Sequence, residues 1–156
     1  MKRLVLFALF VSMSMSAWAS DTGIKSVVKT LESKYGVRHH GIHFLWMAKP
    51  FMKGSGVSGL KIAEFENVRL SPENKIEARK SVEDSLGQEW FPFIESWEKK
   101  GDWAIIYARP TKKGMELLIL SLESREMTVV QMKMDEKASD KWMDEPVQSA
   151  KNEKPH

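Results

Sequence analysis

The sequence predicts a single α+β domain: an antiparallel meander of three to four strands with helices packed on it. Three observations carry this. The runs WAIIYAR (103–109), MELLILSL (115–122) and MTVVQMKM (127–134) follow one another with only the short polar connections PTKKG and ESRE between them, the lengths hairpins use. Two segments ahead of them have helical apolar spacing and helix end signals. Finally, 156 residues without a cysteine must be held by one apolar core.

At the start, MKRLVLFALFVSMSMSAWAS orders a positive pair, an apolar stretch and Ala17-Trp18-Ala19, the pattern of a secretory signal peptide covering residues 1–19 and cleaved after Ala19. Its apolar part is shorter than the roughly 20 residues that cross a bilayer, so no membrane anchor is expected. Without Lys2 and Arg3 the remaining chain has 22 basic against 21 acidic side chains. Near-neutral charge with no Lys/Arg cluster argues against nucleic acid. A chain lacking cysteine has no disulfide framework, no catalytic thiol and no thiol to lipidate, so a periplasmic or secreted location is expected.

The domain is expected over 20–144. Ile24, Val27, Val28, Leu31 and Tyr35 mark one helical face, with Ser20 or Asp21 to cap it and Gly36 to stop it. Residues 36–59 are irregular, and 60–68 reads as an additional strand. Ser71-Pro72-Glu73 opens a helix that should run to Leu86. Trp90, Phe93, Ile94 and Trp97 have i, i+3, i+4, i+7 spacing and predict a further helical turn. After the meander, Asp135 caps a helix to Met143, and the polar segment 145–156 reads as a disordered tail.

Motifs with chemical content are few. GSGVSG (54–59) has the letters G-x-G-x-x-G, but a strand follows it where a dinucleotide fold needs a helix, so it reads as a glycine-rich connection. No nucleophile elbow is present, and Glu64 and Glu66 are ordinary strand acids. The segment HHGIH (39–43) concentrates three of the four histidines. Extended, it separates His39 and His43 by about 13 Å at ~3.3 Å per residue, too far for one zinc ion. A softer reading takes His40, His43 and Met47, with Trp46 and Met52 nearby, as a thioether–imidazole set for copper. In that His-x-x-Trp-Met run the chain resembles small periplasmic copper and silver carriers. More broadly, the export signal, the first helix, GVRHHGIHFLWMAKP and the closing YARP hairpin and helix resemble small exported bacterial proteins classed as domains of unknown function.

Both faces of the meander are apolar. Leu118, Leu120, Leu122, Val130 and Met132 are expected beneath the helix at 71–86, with Trp103, Ile105 and Tyr107 on the opposite face. That second face must meet the helix at 20–35, the aromatic segment at 36–52, a second subunit or a ligand. The functional expectation is an exported, non-enzymatic binding module without a cofactor. Trp103, Ile105 and Tyr107 would contact a protein partner or a homodimer mate, and the alternative is a periplasmic copper or zinc protein using 39–52.

Overall fold

The computed structural model describes residues 23–41, 53–98 and 101–144. The expected signal peptide at 1–19, the expected caps Ser20 and Asp21, the segment holding His43 and Met47, and the expected tail at 145–156 lie outside the described residues.

The elements are α1 (Ile24–Tyr35), β1 (Val57–Glu66), α2 (Pro72–Ser85), β2 (Phe91–Trp97), β3 (Trp103–Thr111), β4 (Gly114–Leu122), β5 (Glu126–Asp135) and α3 (Glu136–Asp144). The strands make one antiparallel sheet in the order β1-β5-β4-β3-β2. An α+β domain is what the sequence predicts, but the sheet has five strands. The extra one is β2, where a helical turn is expected. A register shift between Pro92 and Ile94 explains the misleading period. Ile94 pairs with Ile106 while the ring of neighbouring Phe93 packs on Trp142 of α3 at 5.2 Å, so consecutive residues turn to one face as they would on a helix. Pro92 is tolerated because β2 is an edge.

The local signals behave as their chemistry requires. Ser71 Oγ accepts from Asn74 N at 3.2 Å, Pro72 takes the first helical position, and Asp135 Oδ1 accepts from Ala138 N at 2.8 Å. Gly36 closes α1 in the left-handed conformation (φ 65°). Of GSGVSG, Gly54-Ser55-Gly56 form a turn and Val57-Ser58-Gly59 already belong to β1. Gly56 (φ 75°) accepts from Asp135 N at 2.8 Å, and a Cβ there would lie 2.7 Å from that of Ala138. Its glycine is a backbone requirement for seating the start of α3 against β1.

Helices α1 and α2 lie on one sheet face and build the main core, with Val27, Leu31 and Val82 fully buried over Phe65, Leu118, Leu120, Met127 and Val129. The same layer contains Trp103, Ile105 and Tyr107, at 3%, 0% and 1% exposure. This corrects the expected division of the meander. The two-residue connection Lys112-Lys113 fixes the pairs Tyr107↔Leu118, Ile105↔Leu120 and Trp103↔Leu122, so these six share a face. Val130 and Met132, expected beside the leucines, point to the other face, since Val129 and not Val130 is opposite Leu120.

Candidate functional site

The second sheet face is built in rows across the strands. Next to α3, Ala108, Met115, Leu117 and Met134 are buried, with Ala138 and Trp142 of α3 packed on them. One row further from α3, Ile62 on β1 pairs with Val130 on β5, Val130 with Ile119 on β4, Ile119 with Ile106 on β3, and Ile106 with Ile94 on β2. The result is an unbroken ladder of β-branched aliphatic side chains over all five strands, centred on Ile119. Each of the five is only partly buried. The next row is small and polar: Glu64, Thr128, Ser121, Ala104 and Ser96, again in register.

Among the described residues, no helix covers this half of the face: α3 packs on β4 and β5 at the opposite end, and α1 and α2 belong to the other layer. The ladder continues at the β2 edge into Phe91 and Phe93, 41% and 38% exposed, and along α3 to Met143 at 43%. Such an apolar surface bordered by small polar residues is suited to another protein surface, since a flat sheet face packs on a second layer without deep pockets. Its position depends on pairing parity, which is why the sequence reading assigned Trp103, Ile105 and Tyr107, buried in the layer beneath α1 and α2, to the face opposite the leucines.

The residues singled out for metal fall elsewhere. His40 is exposed, and its backbone bridges to Glu64 through N···O distances of 2.8 and 3.0 Å. His43 and Met47 are outside the described residues. The ring of His39 lies 2.7 Å from Glu32, and this contact holds the Glu32 carboxyl below the usual carboxylate range. Among the described residues no three His, Asp or Glu side chains converge where a metal ion would be held.

Two ionic networks, neither foreseen from sequence, brace the helical side. Arg79 on α2 donates to Glu83 at 2.8 Å and to Glu95 of β2 at 2.9 Å, and its guanidinium lies over the Trp103 ring. Glu95 also accepts from Trp103 Nε1 at 3.0 Å, while Trp97 stacks on Trp103. At the other end, Arg109 pairs with buried Glu116 and with Glu89 and stacks on Trp90, and Lys133 approaches Glu116 at 3.3 Å. The first cluster ties α2 to the edge strand β2, and the second ties β3, β4 and β5 to one another.

Set against family models, curated proteins and solved structures, the chain matches none of them. No helix among the described residues is long and apolar enough to cross a membrane.

Proposed function

We propose that this chain is an exported, non-enzymatic interaction module that docks a protein partner or a second copy of itself on the half of its sheet that no described helix covers. The observation that carries the reading is the ladder Ile62–Val130–Ile119–Ile106–Ile94, a continuous apolar row left partly open across every strand. Water contact with such a row costs roughly 25 cal/mol per Å², a cost that a partner face removes. Export rests on the pattern of residues 1–19, which supports release to the periplasm or medium beginning at Ser20.

The test places a photo-crosslinking amino acid at position 119 in the full chain, expressed in a bacterial host with an envelope. Irradiation should give a discrete adduct of the product that begins at Ser20, and the same probe at Lys80, exposed on α2, should give none. An exported protein without any adduct at 119 would sink the docking surface, and a product retaining residues 1–19 in the cytoplasm would sink the export.

A further inference from the structure

A separate feature lies at the β1 edge, where α1 and the strand enclose an open-sided cavity of about 310 Å³. Its floor is apolar: Ile24 and Val28 from α1, Ile62 and Ala63 from β1. Its rim is cationic, with Lys25 and Lys29 one helical turn apart on α1 and Lys61 facing them from β1. One carboxylate, Glu32, lines the cavity, and it is already engaged by both the ring and the backbone N–H of His39. Lys29 and Lys61 are exposed and have no ion pair among the described residues.

The helix adds to this field. The first turn of α1 contains no acidic residue, although helix N-termini favour them, and carries Lys25 instead. The positive end of the helix and three ammonium groups therefore act together beside one apolar floor. Local rules broken without a compensating local gain point to a site.

We infer that this cavity binds a single-chain amphiphile with an anionic head, the carboxylate or phosphate meeting Lys29 and Lys61 and the hydrocarbon lying on Ile24, Val28 and Ala63. A cavity of this size is at the small end of ligand sites, which suits one alkyl chain of moderate length. The charged rim selects the head, and the floor gives affinity that grows with chain length. The site shares only Ile62 with the sheet ladder, and neither Lys29 nor Lys61, which select the head, belongs to that ladder.

Titration calorimetry of the purified protein with decanoate, kept below its micelle concentration, provides the test. Saturable binding of one equivalent is expected. The double variant Lys29→Glu/Lys61→Glu should weaken it by about tenfold or more with an unchanged melting temperature. Lys80→Glu/Lys137→Glu, which makes the same change in net charge on α2 and α3, should leave it unaltered. Acetate and decyltrimethylammonium, lacking the chain and the negative charge respectively, should not bind. Absent decanoate binding, equal loss in both double variants, or equal binding of the cationic analogue would overturn the assignment. Co-sedimentation with phosphatidylglycerol vesicles in the absence of decanoate binding would overturn it too, pointing to a bilayer surface.

Discussion

Tyr107 shows at the residue scale how a polar atom is accommodated in the main core. Its ring is 1% exposed against the leucines of β4, and its hydroxyl donates to Glu83 at 3.2 Å. Burial first, and the negative charge of Glu83 second, push the phenol well above its ordinary value of 10.0. Tyr35, half-buried at the end of α1, is raised for the same leading reason. The sign follows from linkage. A raised folded value means that the unfolded chain releases its phenolic protons first, so this stability is complete below about pH 10 and is lost as pH rises toward the folded values. Tyrosinate absorbance, followed together with circular dichroism, should show ionisation delayed past that point and concurrent with unfolding. Tyr107→Phe should cost about 0.5–1.5 kcal/mol at neutral pH, the value of one hydrogen bond, and reduce the alkaline loss. Early ionisation of both phenols in a folded protein would contradict the burial.

Helix α1, considered as an element, has an unusual start. Gly23 offers no capping side chain, and the Ile24 N–H donates at 2.6 Å to Oε1 of Gln131, a buried residue on β5 that is 107 positions away. A Cβ on Gly23 would lie 2.2 Å from that oxygen, so alanine there must displace the amide and break the bond. Gly23→Ala and Gln131→Ala should therefore each cost about 1–3 kcal/mol by stranding a buried donor. Chemical denaturation of the double variant should show less than the sum, because both remove one interaction; strict additivity would argue that the contact carries no energy. This bond also marks the limit of what the sequence discloses. Ser71, Asp135 and Gly36 were legible because a cap reads the three or four residues beside it. Gln131 was not, because its partner is fixed only after the sheet has formed. For β2, helical spacing prevailed over strand alternation because the bulge at Pro92 was not visible. The candidate site was missed for a related reason: every ladder residue was recognisably apolar, but which face each one takes depends on a turn length, and a one-residue error exchanges inside for outside.

Across the whole molecule, that exchange can be measured, since adjacent residues of one strand belong to environments that differ in kind. Leu120 is fully buried and is paired with Ile105, also fully buried, in the layer beneath α1 and α2. Ile119, next in the chain, faces the other way in the partly open ladder. Leu120→Ala should cost about 2–5 kcal/mol, because its neighbours cannot collapse into the space left. Ile105→Glu places a second carboxylate across from Glu95, whose partner Arg79 is already shared with Glu83, and burial of a charge with no cation of its own exceeds what a domain stable by roughly 5–15 kcal/mol can absorb. It should leave the domain unfolded at neutral pH. Ile119→Lys, by contrast, can extend its ammonium past the ladder into water while its methylene stem replaces much of the lost apolar contact. Urea unfolding of the three variants should accordingly rank Ile119→Lys mildest, within about 1 kcal/mol of the parent, Leu120→Ala intermediate and Ile105→Glu most severe. Equal collapse of Ile119→Lys and Ile105→Glu would mean that both sheet faces close within one chain, leaving no open surface for a partner. The cavity beside α1 would then be the remaining place to seek a ligand.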